Sequence, residues 1–84
     1  MYEIFIERNA EKELDKLESG TFDTITNSIS NLAEEPRPSG CRKLQGSTNE
    51  WRIREGDYRI IYEINDKDKT INILKVRHRK DAYR

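Results

Sequence analysis

The sequence has 84 residues, of which 38% are charged and 33% hydrophobic, and its formal net charge is zero. This length predicts a single domain spanning residues 1–84, with a thin core and no room for a large enclosed active site. The one cysteine, Cys41, excludes a disulfide within the chain, and no apolar run approaches the roughly 20 residues that cross a bilayer. We therefore expect a cytoplasmic protein with neither a membrane span nor a secretion signal.

The N-terminal half has the pattern of one strand followed by two helices. Alternating residues predict a strand over Tyr2–Ile6, and Asn9 is the predicted N-cap of the first helix. Gly20 is expected to break that helix, and Pro36 to stop the second, because the residue before a proline resists helical geometry. The apolar positions, spaced three and four apart, are Ala10, Leu14 and Leu17, then Phe22, Ile25, Ile29, Leu32 and Ala33. This spacing predicts a helical hairpin.

The chain changes to strand periodicity after the turn-forming segment 35–40. Strands are predicted over Glu50–Glu55, Tyr58–Ile64 and Thr70–Arg77, with turns at 56–57 and 65–69. Consecutive strands with short turns form an antiparallel meander, and helices cover one of its faces. The predicted fold class is α+β, with an N-terminal strand and a helical hairpin packed on a twisted antiparallel β-sheet.

Arginines alternate with apolar residues along the predicted strands. Side chains of a strand point to opposite faces in turn, so Arg52 and Arg54 lie opposite Trp51 and Ile53. Arg59 likewise lies opposite the apolar set of its strand, namely Tyr58, Ile60, Tyr62 and Ile64. The last strand is undecided, because Ile71 and Ile73 share their parity with Lys75 and Arg77, whereas Asn72, Leu74 and Val76 take the other. If the basic sets share a face, that open face collects Arg52, Arg54, Arg59, Arg77 and Arg79.

The charge distribution places a polyanion-binding surface in the C-terminal part. Residues 1–35 contain nine acidic and three basic side chains, whereas residues 51–84 contain six acidic and ten basic ones. Clustered guanidinium groups suit phosphate oxygens, and the terminal segment 77–84 adds further bases and a tyrosine on which a nucleobase could stack. Two alternatives stay open. The mixed charges could serve solubility alone, or the strand arginines could pair across strands with Glu55, Asp57 and Glu63.

Together these segments resemble the RelE/ParE superfamily of bacterial and archaeal toxins. The resemblance covers nearly the whole chain and begins with the amphipathic segment 10–17, followed by 36–40 and 43–46. Its most specific parts are WRIREGDYRIIY at 51–62 and VRHRKDAYR at 76–84. The RelE branch implies a ribosome-dependent endoribonuclease that cuts mRNA in the ribosomal A site. It also implies a cognate antitoxin that binds the toxin in a hetero-oligomeric complex.

The resemblance implies a set of site residues. The catalytic positions of the family match Arg52, Arg54, Arg59, Arg79 and Tyr83, and further RNA contacts are expected from Lys43, Arg77, His78, Lys80 and Arg84. The best-known member has lysines at the positions of Arg52 and Arg54. Arginine does not give up its proton, so these two residues are expected to stabilise the transition state instead of acting as general bases.

Other assignments have competing interpretations. His78 could act in catalysis or pack at the end of its strand, since parity sets it opposite Arg77 and Arg79. Trp51 is expected in the core more than under a nucleobase, as are Tyr58 and Tyr62. No metal or other cofactor is expected, because His78 stands far from Cys41 in sequence. The alternative functions are a ParE-like, non-enzymatic inhibitor of DNA gyrase and a plain RNA-binding module.

Overall fold

The predicted α+β architecture is present in the computed structural model, which describes residues 1–82. Its strands are β1 (Glu3–Ile6), β2 (Arg42–Lys43), β3 (Glu50–Glu55), β4 (Tyr58–Asn65) and β5 (Thr70–His78). Its helices are α1 (Arg8–Asp15), α2 (Ser19–Asn31) and the short α3 (Arg79–Ala82). Among the described residues, no helix is long and apolar enough to span a membrane.

The strands form one sheet in the order β1-β5-β4-β3-β2. The predicted antiparallel meander of β3, β4 and β5 is confirmed, and β2 adds to its outer edge against β3. The two-residue strand β2 was not predicted. The sheet is also not purely antiparallel, since β1 pairs with β5 in parallel. That pairing joins segments from opposite ends of the chain, and the connection between β1 and β5 contains both long helices and strands β2 to β4.

The helix boundaries differ from the predicted ones. Asn9 does not cap α1, because the N-cap is Glu7 and it makes no side-chain capping bond. Gly20 does not separate the helices, because α1 has already ended at Asp15 and Gly20 lies in the first turn of α2. Nor does Pro36 end α2, whose last helical residue is Asn31. The helices thus end on local turns before the expected breakers are reached.

One face of the sheet and the two long helices enclose the core. Its helical contribution comes from Ala10, Leu14, Ile25 and Ile29, with Leu32 just beyond α2, and its strand contribution from Ile53, Ile60, Tyr62, Ile64, Ile71, Ile73 and Val76. Trp51 and Tyr58 are half-buried and pack against this cluster. Phe22, predicted on the apolar face of the second helix, is 38% exposed. The opposite face of the sheet is the open face.

An irregularity in β5 determines which face of the sheet its side chains take, which the sequence left undecided. Ile61 pairs with Lys75, but its neighbour Tyr62 pairs with Ile73, so Leu74 is an extra residue in β5. Such a bulge shifts the alternation of side chains by one position. Ile73 and Val76 therefore both reach the core, while Lys75 and Arg77 lie on the open face.

Candidate functional site

Three arginines stand side by side across the open face. Arg54 on β3 is in register with Arg59 on β4, and Arg59 is in register with Arg77 on β5. Residues in register on antiparallel strands project from the same face, with Cβ atoms roughly 4.5–5.5 Å apart. We call Arg54, Arg59 and Arg77 the arginine row.

The neighbouring row is also basic at both ends. Arg52 is in register with Ile61, and Ile61 with Lys75, while Arg42 on β2 lies beside Arg52. The next row along the strands has the opposite character, because Glu50 is in register with Glu63. The open face therefore carries positive charge near the β3–β4 turn and negative charge at the other end.

A cavity of about 230 Å³ brings three of the predicted catalytic residues together. It is lined by Arg54, Gly56, Asp57, Tyr58, Arg59 and Arg79. This volume is below the range of about 300–1,000 Å³ that is usual for small-molecule pockets, and it suits a compact anionic group such as a phosphate. Three residues of the site predicted from the sequence thus line one concave surface at the β3–β4 turn.

The β3–β4 turn positions Arg79. The backbone N–H of Arg79 donates to the Asp57 carbonyl at 2.7 Å, and the Arg79 guanidinium lies 3.8 Å from the Asp57 carboxylate. Gly56 supports the tight turn with a φ of 60°, in the left-handed region that other residues rarely adopt. Because both partners of the ion pair are about two-thirds exposed, the pair can open to admit an anion at little cost.

Arg77 is held by a residue that the sequence patterns did not single out. Glu13 of α1 accepts a hydrogen bond from the Arg77 Nε at 2.6 Å and another from the backbone N–H of Val76 at 2.9 Å. The contact spans most of the chain, so no local spacing could have indicated it. Lys75 and Arg42 also belong to the basic surface, although the sequence analysis did not place them there. Lys75 was missed because of the bulge in β5, and Arg42 because strand β2 has only two residues.

The remaining predicted RNA contacts divide between the two faces. The His78 ring packs edge-on against the Tyr58 ring, with the two ring centroids 5.2 Å apart. His78 Nδ1 accepts a hydrogen bond from the Lys80 backbone N–H at 3.2 Å. Lys43 is in register with Trp51, which places it on the face opposite the arginine row. Lys80 is exposed in α3. Tyr83 and Arg84 lie outside the described residues.

These side chains can hold a phosphate and stabilise charge, and among the described residues the one carboxylate lining the cavity, Asp57, pairs with the Arg79 guanidinium at 3.8 Å. Arginine stays protonated, and His78 packs against Tyr58 at the end of its strand. Within residues 1–80, no group of three or more His, Cys, Asp or Glu side chains is arranged to hold a metal ion. The arrangement supports charge stabilisation and substrate positioning as its chemistry.

A second polar cluster lies on the β4–β5 turn, away from the arginine row. Asp66 accepts from both terminal nitrogens of Arg37, at 2.9 and 3.3 Å, and from the Tyr2 hydroxyl at 2.6 Å. These hydrogen bonds, of which the one from Arg37 has the largest effect, lower the pKa of Asp66 to about 2. Arg37 also lies over the Trp51 ring, with its Cζ atom 4.8 Å from the ring centroid. The cluster ties the N-terminus, the loop after α2 and the sheet together.

Comparisons with known proteins agree on one family. The family model described as the ParE toxin of the type II toxin–antitoxin system parDE matches residues 4–83. The toxin RelG of Mycobacterium tuberculosis is 30% identical over 84 residues, covering 99% of this chain and 97% of RelG.

Solved structures give the same result. A chain of the archaeal RelE–RelB complex from Pyrococcus horikoshii superposes with a TM-score of 0.83 at 35% identity, covering 93% of this chain and 94% of that one. The isolated RelE toxin of E. coli superposes with a TM-score of 0.81 at 22% identity, covering 99% and 96%, and supports the fold alone.

Proposed function

The chain belongs to the RelE/ParE superfamily of toxins from type II toxin–antitoxin systems, and we propose that it is a ribosome-dependent mRNA endoribonuclease of the cytoplasm. The observation that carries this proposal is the cavity at the β3–β4 turn, where Arg54, Arg59 and Arg79 meet. In this proposal the enzyme needs no metal and no cofactor. It inhibits translation by cutting mRNA in the ribosomal A site.

The proposed reaction uses the 2′-hydroxyl of the RNA as its nucleophile. That oxygen loses its proton as it attacks the adjacent phosphorus, the bond to the 5′-oxygen of the next nucleotide breaks, and the leaving oxygen takes up a proton. A 2′,3′-cyclic phosphate and a 5′-hydroxyl result. Negative charge develops on the phosphate oxygens and on the leaving oxygen. Preorganised donors aimed at such charge typically contribute a factor of about 100 to 1,000 each.

Each arginine has a proposed role. Arg59 and Arg79 hold the phosphate, because both line the cavity. Arg54 and Arg52 neutralise the developing charge, Arg54 from the cavity wall and Arg52 from the adjacent row. Tyr83 stacks on or orients the nucleotide, as the family resemblance implies. Arg77, at the end of the arginine row, adds a contact to the RNA backbone.

We further propose that a cognate antitoxin binds and neutralises the toxin in a hetero-oligomeric complex. The relative from P. horikoshii was crystallised as a RelE–RelB complex. The thin core and the 38% charged residues of the present chain are consistent with a protein that gains stability from a partner.

Inhibition of DNA gyrase is the second candidate function. It is favoured by the matched family model, whose description is that of the ParE toxin. The sequence resemblance implies that this branch generally lacks the catalytic set. The arginine cluster at the β3–β4 turn therefore favours the nuclease.

One experiment separates the two candidates. Purified toxin is added to ribosomes programmed with a defined mRNA, and in parallel to a gyrase supercoiling assay. The nuclease predicts mRNA cut at the A-site codon with gyrase unaffected. Intact mRNA with inhibited gyrase would assign the chain to the second function.

A further inference from the structure

A side chain from α1 accepts a backbone hydrogen bond at the edge of strand β5 that β1 does not reach. The partner strand β1 ends at Ile6, which is in register with Ile73, and the last backbone contact is the Glu7 N–H donating to the Ile73 carbonyl at 2.9 Å. The chain then leaves the sheet to begin α1, so beyond Ile73 strand β5 has no neighbouring strand on the β1 side, while β4 still pairs with its other side. Backbone donors beyond this point on that edge need another acceptor.

Glu13 supplies that acceptor. One carboxylate oxygen accepts the Val76 N–H at 2.9 Å, and the other accepts the Nε–H of Arg77 at 2.6 Å. One carboxylate therefore fixes both the backbone of β5 and the side chain of the last member of the arginine row. The Glu13 side chain is only 24% exposed, which shields the pair from solvent more than a surface ion pair is shielded.

The bond leaves most of the Arg77 guanidinium for another ligand. A guanidinium has five N–H donors, and only the one on Nε is used by Glu13. The terminal nitrogens carry the rest, and the Arg77 side chain is 39% exposed. Arg77 also stands in register with Arg59, and like charges directly opposite each other destabilise a sheet. The negative charge of Glu13 offsets that repulsion at the Arg77 end of the row.

We propose that Glu13 is a positioning residue for RNA binding and cleavage, acting through Arg77. It orients the Arg77 guanidinium by its Nε so that the terminal nitrogens face the RNA phosphate. It also holds the end of β5, from which the chain continues directly into Arg79. This inference rests on the proposed nuclease function, and it extends the site from the sheet to α1.

The test compares Glu13→Gln with Asp15→Asn, an exposed acid on the same helix. Each variant removes one negative charge, and glutamine keeps an oxygen that can still accept the Val76 N–H. Two quantities are measured: the affinity for a short single-stranded RNA with a 2′-deoxy cleavage site, and the rate of mRNA cleavage on ribosomes. We expect Glu13→Gln to weaken binding several-fold and to slow cleavage by up to about 100-fold. Asp15→Asn should match the wild type in both.

The same substitution in an Arg77→Gln background distinguishes positioning from a general structural role. If Glu13 acts through Arg77, Glu13→Gln causes no further loss once Arg77 is replaced. An equal loss in both backgrounds, or wild-type behaviour of Glu13→Gln, overturns the proposal. If the wild type binds RNA without cutting it, the nuclease proposal alone fails and the affinities still decide the role of Glu13. If it neither binds nor cuts RNA, both fail.

Discussion

Arg54 of β3 and Arg59 of β4 stand directly opposite each other across the open face, and both line the same cavity. Such an arrangement brings two positive charges together where a sheet would ordinarily place opposite charges. Guanidinium groups bind phosphate through paired N–H donors, so an anion in the cavity can contact both arginines at once. The geometry suits a shared phosphate, and the predicted effects of substitution follow from it.

Replacing Arg59 or Arg79 with alanine should abolish growth arrest in cells and lower the rate of mRNA cleavage by about 100- to 1,000-fold. The reason is the loss of a donor to the phosphate as charge develops on it. Cleavage on programmed ribosomes measures the rate, and urea unfolding checks the fold. For Arg79→Ala we expect little change in unfolding free energy, because its exposed pair with Asp57 is 3.8 Å long. Lys67→Ala, an exposed cation on the β4–β5 turn, is the control that should stay toxic.

Binding of the cognate antitoxin should raise the melting temperature of the toxin. A partner that binds only the native state adds about 2.7 kcal/mol to the unfolding free energy when its free concentration is 100 times Kd. Differential scanning calorimetry of the toxin with increasing antitoxin peptide measures this. A melting temperature unchanged at saturation would contradict the proposed partnership.

Stability should fall in acid between pH 4 and pH 2 as Asp66 is protonated. Its pKa in the folded protein is about 2 and its ordinary value is 3.8, because Arg37 and Tyr2 donate hydrogen bonds to the carboxylate. A carboxyl with a lower pKa in the folded state stabilises the fold above its unfolded pKa and loses this contribution as the pH falls through the folded one. Urea midpoints at pH 5, 4, 3 and 2 for the wild type and Asp66→Asn should therefore differ at pH 5 and converge towards pH 2. A constant difference over this range would exclude Asp66 as the source.

Tyr62→Phe should lower the unfolding free energy by about 1 kcal/mol. The Tyr62 ring is fully buried, and its hydroxyl donates to the Pro36 carbonyl at 2.7 Å, which holds the loop after α2 against the sheet. The substitution removes this donor while the ring keeps its packing. Ile60→Ala provides the scale, since truncating a buried isoleucine typically costs about 2–5 kcal/mol. Equal stability of Tyr62→Phe and the wild type would show that the bond contributes nothing.

Strand parity predicted the face of Arg52, Arg54 and Arg59, because alternation is a local property of β3 and β4. It could not place Arg77, because the bulge at Leu74 depends on the pairing of β5 with β4. Two further features could not be predicted from the sequence: the parallel pairing of β1 with β5, and the contact of Glu13 with Arg77. Both join segments from opposite ends of the chain, where local periodicity carries no information.

The helix ends were mispredicted for a different reason. Asn9, Gly20 and Pro36 are strong local signals, but in each case the helix begins or ends at a different residue from the one predicted. Propensities of single residues are small compared with the burial of an apolar face, so packing of Ala10 and Leu14 against the sheet decides where α1 lies.

Cleavage should depend on the 2′-hydroxyl of the cut nucleotide and on the ribosome. The arginine cluster can hold a phosphate, but His78 packs against Tyr58, so the described residues offer little to force an RNA backbone into in-line geometry. We expect slow or undetectable cutting of free RNA and efficient cutting of mRNA held in the ribosomal A site. A 2′-deoxy or 2′-O-methyl substitution at the cleaved position should block the reaction, because it removes the nucleophile. Mass spectrometry of the products should find a 2′,3′-cyclic or 3′-phosphate and a 5′-hydroxyl. Rapid cleavage of naked RNA, or of the 2′-deoxy substrate on ribosomes, would require a different nucleophile and a different mechanism.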